Sequence, residues 1–208
     1  TSHAEKRAYP LGEERQRCAD AIAEAASGRD VALVSSGDPG IYAMATLIME
    51  LLERSHDEAA RRIEVVVLPG VSALQVAAAR AGAPLGHDFA AVSLSDLLTP
   101  MRVIEQRLEA AAEGDFVLAL YNPVSKRRRT ALATARRILL AHRPATTPVV
   151  IARNLGRDGE TVEVTTLEGL EVDRVDMLSI VLVGARGTRS FSRVEGDRKS
   201  TRLNSSHV

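Results

Sequence analysis

The most regular stretch of the chain begins with an apolar run that is typical of a strand, stops at a short turn and continues at once as a helix. The run covers residues 31–34, the turn reads Ser-Ser-Gly-Asp-Pro-Gly over residues 35–40, and the helical pattern follows in YAMATLIMELLER. The same alternation recurs where IEVVVLPG precedes SALQVAAARAG. Strands that alternate with helices are typical of βαβ units, so the sequence predicts an α/β fold with a mostly parallel sheet in the first lobe.

The second half of the chain predicts a mixed sheet. One helix should bury Ile104 and Leu108, and another should bury Leu132 and Leu139, because these residues recur at helical spacing. Three strands then follow closely, in TPVVIARNLG, ETVEVTTLEGL and DMLSIVLVGA, with little room for helices between them. Short connections favour antiparallel pairing, so the second lobe is expected to hold a mixed sheet.

Three regions are expected from these patterns. Residues 1–86 should form the first α/β lobe and residues 87–192 the second, mixed lobe. Residues 193–208 should be a disordered, non-native tail, because RKSTRLNSSHV has none of the preceding pattern and resembles translated sequencing-adaptor DNA.

Composition excludes several classes of function. Lys+Arg and Asp+Glu both number 27 and aromatic residues make up 3% of the chain, which disfavours a nucleic-acid surface. Cys18 is the sole cysteine of the 208 residues, so an internal disulfide or a multi-cysteine metal site is excluded and no metal is expected. No segment reaches the apolar length of a membrane span, and the start of the sequence is polar. A cytoplasmic protein is therefore expected.

The turn at residues 35–40 is the first candidate site. A strand that ends in such a turn can present backbone N–H groups and a carboxylate at the carboxyl edge of a parallel sheet, where open α/β folds bind ligands. The turn lacks the Lys-Ser/Thr of a P-loop and the G-x-G-x-x-G of a dinucleotide loop. An equally good interpretation is structural, with Gly37 and Gly40 giving a tight turn and Asp38 capping the next helix.

Two further stretches are candidates of the same kind. In LPGVSALQVAAARAG, Ser72 is placed to cap a helix whose small residues leave room either for a flat ligand group or for close packing on a sheet. In LYNPVSKRRRTA, the Asn122 turn ends a strand and residues 126–129 are basic. These basic side chains form either a solvated face or contacts to carboxylates of an anionic ligand.

These motifs, in this order, resemble those of the tetrapyrrole methylase family of S-adenosylmethionine-dependent enzymes. The resemblance rests on VALVSSGDPGIYAMA, LPGVSALQVAAARAGAPLGHDFAAVSLSDLLTP, LYNPVSKRR and ARNLGRDGETVEVTTLEGL, and covers about residues 10–192. It implies a two-lobed α/β enzyme, usually a homodimer, that binds S-adenosyl-L-methionine. Members begin with a strand and a Gly-x-Gly-Pro-Gly-Asp turn that this sequence does not contain, so the first strand of the fold is expected to be missing.

The resemblance also implies an activity and its residues. The Ser-Leu-Ser-Asp-Leu-Leu-Thr-Pro run favours methylation at C17 of precorrin-3B, or of cobalt-factor III, with ring contraction in cobalamin biosynthesis. The expected donor-binding residues are Ser36, Gly37, Asp38, Ile41, Ser72, Ala73, Asn122, Asn154 and Leu155. The expected residues for the carboxylates of the tetrapyrrole substrate are Arg127, Arg153 and Arg157.

Methyl transfer from a sulfonium needs positioning more than a nucleophilic side chain, whereas ring contraction should need a proton donor or acceptor. Asp96 and Tyr42 are the expected catalytic residues, with Ser95 and His87 as further candidates. A helix N-cap role for Asp96 is an equally good interpretation. Two alternatives to the overall reading stay open: a precorrin methyltransferase acting at C20 or C11, and a non-enzymatic small-ligand-binding α/β module.

Overall fold

The computed structural model describes residues 4–10, 12–125, 129–195 and 198–205. Its helices are α1 (Glu14–Ala26), α2 (Met44–Glu53), α3 (Glu58–Arg61), α4 (Ala73–Ala81), α5 (Met101–Glu113) and α6 (Thr130–His142), with a 3₁₀ turn at Val172–Arg174. Its strands are β1 (Gly82–Ala83), β2 (Phe89–Ser93), β3 (Val117–Tyr121), β4 (Pro148–Arg153), β5 (Thr161–Thr166), β6 (Ser179–Val183), β7 (Arg189–Glu195) and β8 (Arg198–Asn204). The chain divides into two compact units, Thr1–Ser72 and Ala73–Val208, and each is described by itself.

The first unit has a small core between its helices and two apolar segments. Cys18 of α1 and Met44 and Ile48 of α2 are buried together, and Leu33 and Val65 pack against them. Burial raises the pKa of the Cys18 thiol, so this cysteine stays protonated and acts as a small apolar side chain.

The two predicted strands of the first unit are not strands. Residues 31–36 and residues 63–70, called here the first and second apolar segments, alternate between more and less buried positions as strands do, but neither belongs to a β-ladder in the described chain. A strand exists only with a hydrogen-bonded neighbour, and among the described residues no ladder joins either segment to the other or to a further segment. The expected parallel sheet of the first lobe is therefore corrected to two unpaired apolar segments.

The second unit is built on a five-stranded mixed sheet, as predicted. The strand order is β2-β3-β6-β4-β5, with β2 parallel to β3 and every other pair antiparallel. Since β6 runs against both β3 and β4, the strands β2, β3 and β4 all point the same way. Their carboxyl ends, at Ser93, Tyr121 and Arg153, therefore lie along one edge of the sheet.

Both faces of this sheet are covered by helices. On one face, Leu118 and Leu120 of β3 pack against Ile104 of α5 and Leu132 of α6. On the other, Ala119 of the same strand packs with small residues of α4. Successive side chains of a strand point to opposite faces, which explains this division and the nearly continuous apolar sequence of β3, β4 and β6.

The boundary between the units falls earlier than the expected position after residue 86. Leu74, Ala77 and Ala81 of α4 are buried against sheet residues such as Ala152 and Leu182, so α4 belongs to the second unit. Helix packing rather than strand order decides this boundary. The small residues of α4 are explained by this packing, which was one of the two interpretations left open.

The expected disorder of the tail is also corrected for its described residues 193–195 and 198–205. Strand β8 pairs antiparallel with β7 and parallel with β1, giving a second, three-stranded sheet. Leu203 of β8 is 2% exposed and packs in the cluster that contains α4. One buried leucine and ladder hydrogen bonds on both sides of β8 are sufficient reason for order in a segment of otherwise polar sequence.

Within the described residues, no helix has the combination of length and apolar character that crossing a membrane requires. The same residues contain no group of three or more His, Cys, Asp or Glu side chains that could hold a metal ion.

Candidate functional site

The Gly-Asp-Pro turn of the first unit is fastened by the carboxylate of Asp38. One oxygen, Oδ1, accepts a hydrogen bond from the Gly40 N–H at 2.8 Å, and the other, Oδ2, accepts one from the Gly70 N–H at 3.0 Å. The N–H groups of Gly70, then of Gly40 and Ile41, lower the pKa of Asp38 below its ordinary value. Asp38 is therefore an anion that joins the ends of the two apolar segments.

Two glycines make this junction possible. Gly37 has φ +83°, a left-handed conformation that side chains disfavour. At Gly70 an added Cβ would lie 2.3 Å from the carbonyl oxygen of Gly37, which is far inside contact distance. The backbone at the junction is consequently bare of side chains, as a close approach to a ligand or to another backbone requires.

The interpretation of Asp38 as the cap of the next helix, one of the two left open, is wrong. Helix α2 begins after Ala43 and has no side-chain cap, while Asp38 lies a full turn earlier and bonds to Gly40 and Gly70. Of the other expected residues of this unit, Ser36 and Ile41 are exposed near the turn, and Ser72 is 2% exposed just before α4.

Tyr42 follows the same turn in a strained conformation. Its φ is +52°, and 52% of the residue is exposed. A left-handed aromatic residue is uncommon and costs conformational energy, so the surrounding turn must hold it.

A second group of expected residues lies in the second unit, along the carboxyl edge of β2 and β3. Asn122 has φ +50°, and its Nδ2 donates to the Ser93 Oγ at 3.0 Å. The Tyr121 hydroxyl accepts the backbone N–H of Leu74 at 3.1 Å, in the first turn of α4. Hydrogen bonds to the ends of β2 and β3 therefore fix both Asn122 and the start of α4. Ala73 is the first residue of α4.

Asn154 and Leu155 follow β4 along the same edge. Asn154 has φ +52°, and its N–H donates to the Leu178 carbonyl at 3.2 Å. The loop beyond is fastened by Glu160, whose Oε2 accepts the Gly156 N–H at 2.7 Å and whose Oε1 lies 2.6 Å from the Arg80 Nε. The hydrogen bond from Arg80, then the one from Gly156, lowers the pKa of Glu160, so it is ionised and holds the loop at neutral pH.

The expected substrate arginines differ in placement. Arg153 ends β4, is half exposed and pairs with Asp176 through an Nε–Oδ2 distance of 2.6 Å. Arg157 is exposed in the loop that Glu160 fastens. Arg127 lies outside the described residues. Of the same basic run, Arg129 pairs with Asp173 at 2.5 Å.

The catalytic candidates of the second unit are separated by the length of β2. Ser95 and Asp96 follow its carboxyl end, where the Ser95 N–H donates to the Ser93 Oγ at 3.3 Å and Asp96 is exposed. His87 precedes the opposite end of the strand, roughly 13 Å away at the usual rise per residue, and so does not belong to this edge. The alternative cap role of Asp96 is wrong, because Pro100 occupies the N-cap position of α5.

Several residues that build these groups were missed by sequence reasoning. Ser93 orients Asn122, Tyr121 fixes the start of α4, Gly70 donates to Asp38, and Asp176 pairs with Arg153. The glycine of LPG was the available signal, since a glycine directly after a predicted strand indicates a close approach. Nothing local in the sequence marks the partners contributed from distant positions.

The chain matches a profile of the Tetrapyrrole (Corrin/Porphyrin) Methylases over residues 2–171. It therefore belongs to the tetrapyrrole methylase family, which confirms the expected family, fold class and enzyme class. It is 45% identical over 181 residues to a "Precorrin-3B C(17)-methyltransferase" of Sinorhizobium sp, covering 87% of this chain and 71% of the relative. It is 47% identical over 175 residues to a "Probable cobalt-factor III C(17)-methyltransferase" of Salmonella typhimurium, covering 84% and 71%.

Solved structures show the same fold. The crystal structure of the methyltransferase CobJ superposes with a TM-score of 0.78 at 39% identity, covering 94% of this chain and 77% of CobJ. A uroporphyrin-III C-methyl transferase from Thermus thermophilus, complexed with S-adenyl homocysteine, gives a TM-score of 0.58 at 19% identity, over 84% of this chain and 75% of that one. The latter likeness concerns the fold alone.

Proposed function

We propose that this chain transfers a methyl group from S-adenosyl-L-methionine to C17 of precorrin-3B or cobalt-factor III, with contraction of the macrocycle, in cobalamin biosynthesis. The observation that carries the proposal is the identity of 45% and 47% to two proteins named for C17 methylation, over more than four fifths of this chain. We further propose that it works in the cytoplasm as a homodimer.

The residues of the Gly-Asp-Pro turn fit such a donor. An ionised carboxylate has about four lone-pair positions, and Asp38 uses at least two of them on backbone N–H groups. The remaining positions can accept hydrogen bonds from ribose hydroxyls or the ammonium group of S-adenosyl-L-methionine. Gly37 and Gly70 leave the adjoining backbone uncovered, and Ser36, Ile41 and Ser72 complete the proposed contacts of this unit.

The second unit would supply the other proposed contacts. Asn122 and Asn154 are held in left-handed conformations by the strand ends described above, which fixes where their backbone and amide groups point. Ala73 and Leu155 add small and apolar surface beside them. Such pre-positioned groups bind a ligand without an added ordering cost.

S-adenosyl-L-methionine supplies an already activated methyl group, so the chain's own task is to hold the accepting carbon in line with it. Arg153 and Arg157, together with Arg127, are proposed to bind carboxylates of the tetrapyrrole by charge-assisted hydrogen bonds. For the contraction step, Asp96 and Tyr42 are proposed to move the proton, since both are exposed near strand or segment ends and carry a titratable oxygen.

The test is calorimetric titration of the full chain with S-adenosylhomocysteine, followed by a methyl-transfer assay with precorrin-3B or cobalt-factor III. Asp38→Asn should weaken binding by tenfold or more, because an amide offers one acceptor oxygen where the carboxylate offers two. Asp57→Asn is the matched control: Asp57 is exposed in the same unit, caps α3 through the Ala59 N–H, and Asn caps as well as Asp.

A folded chain that binds S-adenosylhomocysteine equally well with and without the Asp38 carboxylate would contradict the proposed donor site. Binding without methyl transfer to either tetrapyrrole would contradict the proposed substrate. Methylation at C20 or C11 in the product would assign one of the sister activities instead.

A further inference from the structure

The hydroxyl of Ser93 lies at the carboxyl end of β2, and the proposed function does not use it. Successive side chains of a strand alternate between the two faces of its sheet. In β2, Val92 packs in the cluster that contains α5 and α6, whereas Ala91 packs against the cluster that contains α4. Ser93 therefore points to the same face as Ala91, which is the face that α4 covers.

The neighbouring strand places Ser93 on the side where α4 begins. The parallel register of β2 and β3 pairs Ser93 with Tyr121. Tyr121 packs against the α4 cluster, and its hydroxyl accepts the Leu74 N–H in the first turn of this helix at 3.1 Å. The N–H groups at the start of a helix carry a partial positive charge. The surroundings of Ser93 on this face thus favour a negatively charged group over a positively charged one.

The hydroxyl of Ser93 accepts two hydrogen bonds from the chain. Asn122 Nδ2 donates to it at 3.0 Å, and the Ser95 N–H donates to it at 3.3 Å. A serine hydroxyl has two lone pairs and one O–H donor, so these bonds occupy both lone pairs. Within the described residues these are the hydrogen-bond partners of the hydroxyl, and both are donors. The O–H of Ser93 is consequently left to donate to an acceptor outside the described chain.

The two accepted hydrogen bonds also fix the direction of this O–H. A serine hydroxyl with no partner rotates about its C–O bond. Two donors on its lone pairs leave one tetrahedral position for the hydrogen, and Ser93 is half-buried at the sheet edge where this position lies. A donor whose direction is fixed in advance binds an acceptor without an added ordering cost.

We propose that Ser93 is a ligand-contacting residue whose hydroxyl donates a hydrogen bond to a carboxylate oxygen of one of the bound reactants. This inference rests on the proposed function, and it adds a contact beside Ala73 and Asn122, which are proposed to bind the methyl donor. Carboxylates occur on the amino-acid end of S-adenosyl-L-methionine and on the tetrapyrrole. A hydrogen bond to an ionised oxygen is stronger than one to a neutral oxygen, so the contact favours ligands that carry a carboxylate at this position.

The test compares the full chain with Ser93→Ala by calorimetric titration. If the methyl donor supplies the carboxylate, Ser93→Ala should bind S-adenosylhomocysteine about tenfold more weakly or worse, because a hydrogen bond to a charged group is lost. The variant should bind methylthioadenosine, which lacks the amino-acid carboxylate, like the parent chain. If the tetrapyrrole supplies the carboxylate, both compounds should bind as in the parent chain, and the KM for the tetrapyrrole should rise by a similar factor.

Further variants separate a direct contact from an effect through Asn122. Ser93→Thr keeps the hydroxyl and should behave like the parent chain. In an Asn122→Ala background, Ser93→Ala should still weaken binding, or raise the KM, by a similar factor, because a direct contact does not need the Asn122 amide. Ser190→Ala is the matched control, since Ser190 is exposed in β7 of the three-stranded sheet and should leave every measurement unchanged. Far-ultraviolet circular dichroism checks that each variant is folded.

Several results would overturn the proposal. Ser93→Ala could match the parent chain in both titrations and in the KM. It could instead weaken methylthioadenosine as much as S-adenosylhomocysteine, or its effect could disappear in the Asn122→Ala background, and either result would assign Ser93 to the positioning of Asn122. A parent chain that binds no S-adenosylhomocysteine would contradict the proposed function itself, whereas equal binding and equal KM in the parent chain and Ser93→Ala would contradict this inference alone.

Discussion

Gly70→Ala is the substitution for which the structure gives the firmest expectation. The new Cβ would lie 3.2 Å from the Gly37 carbonyl carbon and 2.3 Å from its oxygen. The distance to the oxygen is about 1 Å short of the 3.4 Å at which ordinary contact begins. Both atoms are backbone, so no side chain can swing away. The junction must open, and the 3.0 Å hydrogen bond from the residue 70 N–H to Asp38 Oδ2 lengthens with it.

Overpacking of this kind costs about 1–3 kcal/mol. For a chain of this size each kcal/mol lowers the midpoint of thermal unfolding by about 2–4 °C, so a fall of roughly 2–12 °C is expected in a circular dichroism melt. Under the proposed function, titration with S-adenosylhomocysteine should also show a loss of affinity of tenfold or more, because the junction and the proposed donor site share Asp38.

The matched control is Gly187→Ala. Nothing lies within 4 Å of its added Cβ, and its φ is in the ordinary range, so stability should change by about 0.5 kcal/mol or less. If Gly70→Ala melts with the parent chain and with Gly187→Ala, the close approach of the two segments is not a feature of the folded protein, and the argument for a built junction fails.

Three further changes test single contacts. Asp38→Asn should lower the melting temperature at pH 7 but have no effect in acid. The pKa of Asp38 in the folded protein lies below its ordinary value of 3.8, so the carboxylate stabilises the fold fully above pH 3.8. This stabilisation is lost as the pH falls through the pKa of the folded protein. A pH series of melts checks this, and a difference that persists at the lowest pH would contradict it. Tyr121→Phe should cost about 0.5–1.5 kcal/mol in urea unfolding, because the Leu74 N–H loses its acceptor, and an unchanged midpoint would show that water replaces the hydroxyl. Glu160→Gln should speed amide exchange at Gly156 without affecting exchange in β3, and equal exchange in both proteins would mean that the loop does not depend on this carboxylate.

The second unit was largely predictable from sequence because its local patterns and its tertiary contacts agree. Ile104 and Leu108 recur at helical spacing and are fully buried, and the closely spaced runs after residue 147 became β4, β5 and β6. In the first unit the pattern predicted two strands that do not form, because a strand needs a hydrogen-bonded neighbour and periodicity does not report whether one is present. The boundary at Ser72 was missed because α4 packs on a sheet formed by later residues.

The candidate site was also predictable only in part. The turns themselves could be found, since Gly-Asp-Pro-Gly and Asn-Pro are turn sequences at the ends of apolar runs. The partners that hold them could not, because Asp38 and Gly70 are 32 positions apart and Asn122 and Ser93 are 29 apart. The capping interpretation of Asp38, one of the two left open, failed for this reason: an acidic residue before a helix usually caps it, and only the fold shows that its second oxygen reaches Gly70.

Backbone strain connects the turns to the proposed function. Three non-glycine residues have φ near +50°, which costs conformational energy: Tyr42, Asn122 and Asn154. Each follows an apolar segment or a strand, at the end where a ligand is proposed to bind. Strain alone does not identify a site, because Asp115 has φ +56° at the opposite edge of the sheet, where its Oδ1 accepts the Arg186 N–H. Asn122 and Asn154 differ from Asp115 in two ways. Neighbouring strand ends fix them, and they lie at the carboxyl edge of β2, β3 and β4, where amide and guanidinium groups also lie. A methyltransferase whose donor is already activated has most to gain from such rigid placement, because its rate depends on holding two reactants in line rather than on a reactive side chain.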